Sequence, residues 1–331
     1  MININKNNRI AIVGCGYWGS IIANNLRKLT DQEIYIFDSN TKNSKNLKKK
    51  IKNLKIVNNI SEILINNKIK FVFLIVPPNQ TFKILKKLIK FKKNVFVEKP
   101  FLSSLKNIDI IKQLLKKNKT TLMVGYIYLY NEIIKKIKTI LNGNVLGKIL
   151  FIKCIRENLG PVRSDVDCNF DLASHDLSIL KYLLESKLVI KNKIDHKILK
   201  KNIADSSTLK LISKKISIEV RSSWLSTEKV RKIIIVGSKK MLLFDEMLEN
   251  NQLKIFNQYA KYPEIAKLGK KIFSKTARVY KGNIINIPYK KNNPLLSEIK
   301  TFFKHSIYKT KPKTDIFFAE KILKILILKN G

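Results

Sequence analysis

Asp171 and His175 are the pair of side chains in this chain best suited to moving a proton. They stand four residues apart in a segment with a helical pattern, so on a helix they would share one face. A carboxylate one turn away can orient an imidazole and raise its basicity, which makes His175 a candidate base for a substrate hydroxyl. The alternative is a helix that Asp171 caps and in which the histidine is incidental.

A second candidate group, Glu98-Lys99-Pro100, directly follows the apolar run 94–97. The run predicts a buried strand, and ligands of parallel sheets bind at the carboxyl ends of the strands. A lysine there can hold a substrate oxygen or stabilise the charge that develops on it, and a glutamate can bind a ribose hydroxyl. Lys99 is distinguished by this position and not by its type, because lysine is abundant throughout the chain.

The elements that must position these side chains begin with a glycine-rich turn. Gly14, Gly16 and Gly19 occupy the G-x-G-x-x-G positions between the apolar run 10–13 and a helical pattern. The first glycine permits the sharp turn, the second lets the backbone approach a pyrophosphate, and the third lets the helix lie close to the strand. The amides at the helix N-terminus then face the phosphates. The stretch predicts a dinucleotide-binding turn.

Asp38 supports that interpretation, because it ends the next predicted strand, 34–37, 19 residues after Gly19. A carboxylate about 20 residues beyond the glycines can accept hydrogen bonds from the adenosine ribose hydroxyls. The same carboxylate would repel a 2′-phosphate, which predicts NAD in preference to NADP. Lys42 and Lys45 lie nearby in the sequence and weaken that preference.

The order of the remaining elements predicts an α/β protein of two domains. Strand and helix patterns alternate over residues 1–125, which is typical of a doubly wound, parallel Rossmann sheet. Pro77 follows the apolar run 71–76 and ends that strand at the ligand-binding edge. Residues 126–331 predict a second α/β domain with a large, mostly antiparallel, open-faced sheet, closed by helices over about 294–306 and 315–329.

The composition of the 331 residues is that of a globular protein, with 45% apolar residues and a net charge of +42. Only seven of the 66 basic residues are arginine, and the lysines are spread over most helices. Base bias of the genome explains this composition better than nucleic-acid binding, which favours clustered arginine. The polar residues 1–8 lack the apolar core of a signal peptide, and no apolar run could span a bilayer, so a cytoplasmic protein is expected. Three scattered cysteines predict neither disulfides nor a metal site.

The glycine turn, Glu98-Lys99-Pro100, Gly125-Tyr126 and the Asp171…His175 pair together resemble the Gfo/Idh/MocA oxidoreductases. The resemblance covers nearly the whole chain. The segments 156–166 and 293–298 are similar to a subgroup associated with nucleotide sugars and surface polysaccharide synthesis. Thr81 and Asn131 depart from the family pattern, where many members have histidine and proline, but neither position is catalytic.

The resemblance implies a catalytic set and two binding sets. The catalytic set is Lys99, Asp171 and His175. The cofactor-binding set is Gly14, Gly16, Tyr17, Trp18, Gly19, Asp38, Pro77, Glu98 and Lys99. The substrate-binding set is Tyr126, Arg156, Asn158 and Arg163. Arginine offers a fork for pyrophosphate oxygens, although structural ion pairs are the alternative for these residues.

The function that this resemblance implies is hydride transfer between a sugar carbon and NAD, on C3 of a nucleotide-linked sugar. Either Lys99 or His175 would be the base. A free-sugar or inositol dehydrogenase is one alternative, and a dinucleotide-sensing protein without turnover is another. No nucleic-acid, membrane or metal partner is expected. The open sheet predicts a homodimer or homotetramer.

Overall fold

The computed structural model describes residues 8–262, 264–267, 270–273 and 276–328. The chain forms two compact units. The first contains residues 8–130 together with 292–327, and the second contains the described residues from 131 to 291 and Leu328. No helix among the described residues is long and apolar enough to cross a bilayer.

The first unit is built on a six-stranded parallel sheet with the strand order β3-β2-β1-β4-β5-β6. The strands form from near-continuous apolar runs, as expected where both faces of a sheet are covered. Their bounds are β1 Arg9–Val13, β2 Ile34–Phe37, β3 Leu54–Ile56, β4 Ile69–Leu74, β5 Asn94–Glu98 and β6 Leu122–Gly125. This topology confirms the predicted Rossmann sheet.

Helices connect these strands and cover the sheet. Their bounds are α1 Tyr17–Arg27, α2 Thr41–Lys50, α3 Ile60–Ile65, α4 Pro78–Lys90 and α5 Ile108–Asn118, with short 3₁₀ turns at Leu105–Asn107 and Ile127–Tyr130. The Ser104 side chain accepts from the Lys106 backbone N–H and begins the 3₁₀ turn that leads into α5.

Two helices from the end of the chain also belong to the first unit, whereas the predicted boundary placed them in the second domain. On α8, Phe302 and Phe303 are fully buried and pack edge-on against Phe71 and Phe73 of β4. The segment before α9 is tied to β6, because the Val124 N–H donates to the Thr314 carbonyl over 2.8 Å. The helices span α8 Pro294–Ile307 and α9 Ile316–Leu326, and Lys329, the expected end of α9, lies outside the described residues.

The second unit contains an eight-stranded sheet with the order β18-β13-β12-β11-β7-β10-β9-β8. Its strands are β7 Ile149–Glu157, β8 Val189–His196, β9 Ser206–Ser213, β10 Ile216–Ser223, β11 Val230–Gly237, β12 Met241–Asp245, β13 Leu253–Phe256 and β18 Ile284–Asn286. All neighbours are antiparallel except β7 and β10, which are parallel because a long excursion that includes a helix separates them. The predicted large, mostly antiparallel sheet is thereby confirmed.

The rest of the second unit consists of two helices and two small ribbons. The helices are α6 Glu132–Asn142 and α7 Ser174–Leu184, and α7 continues a π-helical turn at Asn169–Ala173. The ribbons pair β14 Tyr259–Lys261 with β17 Arg278–Tyr280, and β15 Glu264–Lys267 with β16 Lys270–Phe273. The sequence pattern over 257–287 did not resolve these short strands.

Candidate active site

The glycine turn after β1 requires glycine at two of its three positions. Gly14 has φ +101°, and a Cβ on it would lie 1.9 Å from the carbonyl oxygen of Ile75. A Cβ on Gly19 would lie 2.1 Å from the carbonyl oxygen of Gly14. The turn therefore brings α1 against the ends of β1 and β4 so closely that no side chain fits.

Gly16 is different, because a Cβ there would meet nothing within 4 Å. Gly16 is the N-cap of α1, no side chain of the described chain caps this end, and the first turn holds no acidic residue. The amides at this helix end are therefore open to an anion, and the missing side chain leaves room for one. Tyr17 and Trp18, which begin α1, are 79% and 41% exposed. These features fit a bound pyrophosphate.

Asp38 is held rigidly beside this turn. Its Oδ2 accepts from the Cys15 backbone N–H at 2.7 Å, and its Oδ1 accepts from the Asn40 backbone N–H at 2.8 Å. Each carboxylate oxygen keeps a further lone pair. The carboxylate can therefore accept hydrogen bonds from ribose hydroxyls without losing the contacts that orient it.

A cavity of about 690 Å³ lies along the carboxyl ends of β1, β2 and β4. Gly14, Gly16, Asp38 and Pro77 line it, as their predicted roles require. Its other polar lining residues were not predicted from the sequence: Ser39, Asn40, Asn43, Asn79, Gln80, Lys83 and Lys87. Lys83 and Lys87 stand four apart on α4, a spacing that many lysines of this chain share. Lys42 and Lys45 line a separate surface depression.

Glu98 and Lys99 lie at the carboxyl end of β5. Glu98 is in register with Gly125 of β6, and its Oε2 lies 3.1 Å from the point where a Gly125 Cβ would stand. Burial raises the pKa of Glu98 to about 7, although the Lys99 ammonium and the Lys99 backbone N–H both oppose the rise. Glu98 therefore changes charge near neutral pH.

A second acid, Glu298 of α8, lies near Glu98 and was not predicted as a site residue. It is fully buried, and neither of its carboxyl oxygens has a hydrogen-bond partner among the described residues. Burial raises its pKa well above the usual value, and the Glu98 carboxyl adds to the rise. Its surroundings therefore favour the protonated form of the Glu298 carboxyl.

Tyr126 is buried and does not present its ring to solvent. The ring lies 5.5 Å from that of Phe318 on α9 in an edge-on arrangement, and burial raises the pKa of the hydroxyl. The side chain packs inside the first unit, and its role as a substrate contact stays a prediction.

In the second unit, Asp171 lies within the π-helical turn and His175 follows in the first turn of α7. The expected regular α-helix is therefore widened at Asp171. The Asp171 Oδ2 accepts from the indole N–H of Trp224 at 3.2 Å, and its Oδ1 lies 3.5 Å from Nη1 of Arg163. His175 is partly exposed. The carboxylate thus has two partners that the sequence did not predict.

Arg163 reaches two acids. Its guanidinium donates to both carboxylate oxygens of Asp165, at 2.9 and 2.7 Å. These hydrogen bonds, and to a smaller degree the charge of Asp171, raise the pKa of Arg163. The side chain remains 32% exposed, so it can still reach a ligand.

Arg156 has a structural role instead of the predicted substrate contact. Its Nε and Nη2 donate to the Asp176 carboxylate at 3.0 and 2.9 Å, and both side chains are almost fully buried. The buried ion pair ties β7 to α7, and removing either partner would leave an uncompensated charge. The structure therefore favours the ion pair that the sequence left open as an alternative. Asn158 is half-buried, and its Oδ1 accepts from the Arg231 guanidinium.

Across the described ranges, no cluster of three or more His, Cys, Asp or Glu side chains could hold a metal ion. The three cysteines are buried and free. Of the expected catalytic set, Lys99 belongs to the first unit, and Asp171 and His175 belong to the second.

Comparison with known proteins finds a family similarity in the first unit. Residues 8–126 match the sequence model of the family GFO_IDH_MocA, an oxidoreductase family with an NAD-binding Rossmann fold. A myo-inositol 2-dehydrogenase of Thermotoga maritima is 24% identical over 182 residues, which make up 53% of this chain and 54% of that protein. The chain thus spans about half the length of the curated relatives it matches.

Solved structures share the fold over almost the whole chain. A UDP-N-acetylglucosamine 3-dehydrogenase from Acidithiobacillus ferrooxidans is 16% identical with a TM-score of 0.77, covering 96% of this chain and 95% of that one. A variant of a 3-ketoreductase from Actinomadura kijaniata, in complex with TDP-benzene and NADP, is 11% identical with a TM-score of 0.76, covering 96% and 95%. At these identities the likeness shows the fold alone.

Proposed function

We propose that the protein is a cytoplasmic NAD-dependent sugar dehydrogenase, because residues 8–126 match the sequence model of the Gfo/Idh/MocA oxidoreductases with their NAD-binding Rossmann fold. Its substrate in this proposal is a nucleotide-linked sugar oxidised at C3 for surface polysaccharide synthesis. The observation that carries the proposal is the open, uncapped glycine turn beside the immobilised Asp38 carboxylate.

The residues of the first unit assign the cofactor. The amides that follow Gly16 would hold the pyrophosphate, and Asp38 would hold the adenosine ribose. Lys42 and Lys45 line another depression and not the cavity beside Asp38, which supports NAD in preference to NADP. NAD is therefore our proposed cofactor. When bound, its nicotinamide accepts the hydride that the sugar carbon loses.

Residues of this chain would accept the proton of the sugar hydroxyl and stabilise the negative charge that develops on its oxygen. In the proposal His175 takes the proton of the sugar hydroxyl, and Asp171 orients the imidazole. Lys99 stabilises the oxygen as negative charge develops on it. The reverse assignment, with Lys99 as the base, leaves the other roles unchanged. Glu98 would bind the second ribose of the cofactor in its ionised form.

Substrate recognition is assigned to the exposed polar residues of the second unit. Arg163 can exchange its bond to Asp165 for a pyrophosphate oxygen, since its guanidinium is partly exposed. Asn158 lies close by in the sequence but already bonds Arg231. Arg163 is therefore the principal anion contact that we propose.

A free polyol is the second candidate substrate. The myo-inositol 2-dehydrogenase of Thermotoga maritima is 24% identical to this chain over 182 residues, about half of each protein. The likeness to the nucleotide-sugar dehydrogenase spans both units but is weaker in sequence. The two substrates must therefore be tested in parallel.

The test is NADH formation by the full chain with a panel of UDP- and TDP-linked sugars, free sugars and inositols. We expect turnover with a nucleotide sugar, and a loss of roughly 10²-fold or more in kcat in Lys99→Ala. Lys90→Ala, an exposed lysine at the end of α4, is the matched control and should keep wild-type turnover. Turnover with inositol alone would favour the second candidate. Cofactor binding without turnover on any substrate would favour a dinucleotide-sensing protein.

A further inference from the structure

Trp224 has a fixed place beneath the π-helical turn. It follows β10 and is only 1% exposed, and its side chain packs with Cys168, Leu172 and Ala204. Its backbone N–H donates to the Asp205 carbonyl at 2.8 Å. Backbone and ring are therefore both immobilised, and the indole N–H is directed at the Asp171 carboxylate over 3.2 Å.

The turn that carries Asp171 is anchored to the same part of the sheet. The Cys168 N–H donates to the Ala204 carbonyl at 3.0 Å, next to the residue that holds Trp224. Within the turn, the Asn169 side-chain amide donates to Asp195 Oδ1 of β8 at 3.1 Å. The Trp224 indole and the Asp171 carboxylate are therefore anchored to the same part of the second unit, which fixes the distance between them.

Trp224 and Arg163 contact different oxygens of Asp171 and differ in character. Arg163 is partly exposed and shares its guanidinium with Asp165. Trp224 is buried and uncharged, and its side chain has one hydrogen-bond donor. Its indole N–H therefore cannot leave Asp171 to bond water or a ligand. A π-helical turn inside a helix is uncommon and is often found at functional sites.

We propose that Trp224 is a positioning residue, whose indole N–H holds the Asp171 carboxylate in the orientation that serves His175. Arg163 can then leave the other oxygen when an anionic ligand arrives, without releasing the carboxylate. The proposal rests on the proposed function, in which Asp171 orients the catalytic imidazole.

The test compares Trp224→Phe with Cys168→Ala in the full chain. The first variant keeps an aromatic ring and removes the N–H, while the second disturbs the same buried cluster and leaves the N–H in place. We expect Trp224→Phe to lower kcat by roughly 10- to 100-fold with KM within about twofold, as for loss of a hydrogen bond to a charged group. Cys168→Ala should keep wild-type kcat.

A measurement independent of turnover is the NMR titration of His175, which variants can assign because the chain has only three histidines. The charged Arg163 guanidinium faces Asp171 and is itself bonded to Asp165. Trp224→Phe should lower the His175 midpoint, because the carboxylate turns toward Arg163. An unchanged midpoint together with wild-type kcat would overturn the proposal.

The variant Asp171→Asn tests the Trp224 contact separately from the role of Asp171 in the proposed function. It also provides a test if Trp224→Phe does not fold. It should shift the Trp224 indole N–H resonance, which is one of only two indole signals. In that background Trp224→Phe should have no further effect on kcat. An unmoved indole resonance would overturn the Trp224 contact. A moved resonance with an unchanged His175 midpoint would overturn the role of Asp171 in the proposed function.

Discussion

Four carboxyl groups in this chain have four different environments, and their chemistry follows from what surrounds them. Two backbone N–H groups bond the half-buried Asp38, and an indole and a guanidinium contact Asp171. Glu98 and Glu298 instead lie near each other, where burial disfavours both charges. Burial therefore raises the pKa of Glu98 to about 7 and the pKa of Glu298 well above its usual value.

The raised pKa of Glu298 predicts a pH-dependent cost in stability. In the unfolded chain a glutamate ionises near pH ~4.3, whereas folded Glu298 keeps its proton to much higher pH. The contribution of Glu298 to the free energy of unfolding is fully present below the pKa of the unfolded chain. It is lost as the pH rises from that pKa to the higher pKa of the folded chain. Glu298→Gln should therefore become progressively more stable than wild type as the pH rises above ~4.3, with a limiting slope of about 1.4 kcal/mol per pH unit.

Urea unfolding of wild type and of Glu298→Gln at each pH measures this difference in the free energy of unfolding. Glu320→Gln on α9 is the matched control, because hydrogen bonds from Lys112 and Lys324 outweigh its burial and lower its pKa. The contribution of Glu320 is lost as the pH falls, so its variant should show no gain as the pH rises. A constant difference between Glu298→Gln and wild type would show that Glu298 is not protonated in the folded chain.

At the scale of elements, the glycine turn needs one glycine for folding, Gly14, and another for binding, Gly16. Gly14 needs a positive φ and has no room for a side chain, while Gly16 faces open space. An added methyl group should therefore lower stability at Gly14 and NAD binding at Gly16, although the two positions are only two residues apart.

Gly14→Ala should lower the unfolding free energy by more than ~2 kcal/mol, because the added carbon meets the Ile75 carbonyl in a backbone conformation that disfavours side chains. Gly16→Ala should leave the unfolding free energy within about 1 kcal/mol of wild type and weaken NAD binding roughly tenfold or more. Thermal unfolding and calorimetric titration with NAD distinguish the two. Equal stability of both variants would contradict the described turn.

The strands of the first sheet could be predicted to within about two residues, because both faces are buried and the apolar runs are continuous. The position of α8 could not, since Phe302 and Phe303 could bury equally well against either sheet. The Arg156–Asp176 pair joins a strand to a helix with 19 residues between the partners, and no local pattern indicates it. Trp224 contacts Asp171 across 53 positions, so its role also needed the fold.

At the scale of the whole molecule, the large sheet leaves a cross-strand row of apolar side chains that are not fully buried. Phe151, Val236, Met241, Phe256 and Ile284 lie opposite one another across five neighbouring strands. Such a row lowers its free energy when a second surface covers it. We propose that a second copy of this chain covers it, which would make the protein a homodimer or homotetramer.

Val236→Glu should therefore dissociate the assembly, because it places a charge between two apolar neighbours of the row. Light scattering after gel filtration should give the mass of one chain for this variant and a multiple of that mass for wild type. Ile198→Glu, at a position that is 68% exposed in the same unit, is the control and should assemble normally. A wild-type chain that is monomeric at micromolar concentration would contradict the proposed assembly.

The central claim is that His175 exchanges a proton with a sugar whose hydride passes to NAD, and the turnover of His175→Ala tests it most directly. NADH formation on the best nucleotide sugar should fall by roughly 10²- to 10⁴-fold relative to wild type, while NAD affinity, followed by tryptophan fluorescence, stays unchanged. Wild-type turnover in His175→Ala would contradict the account.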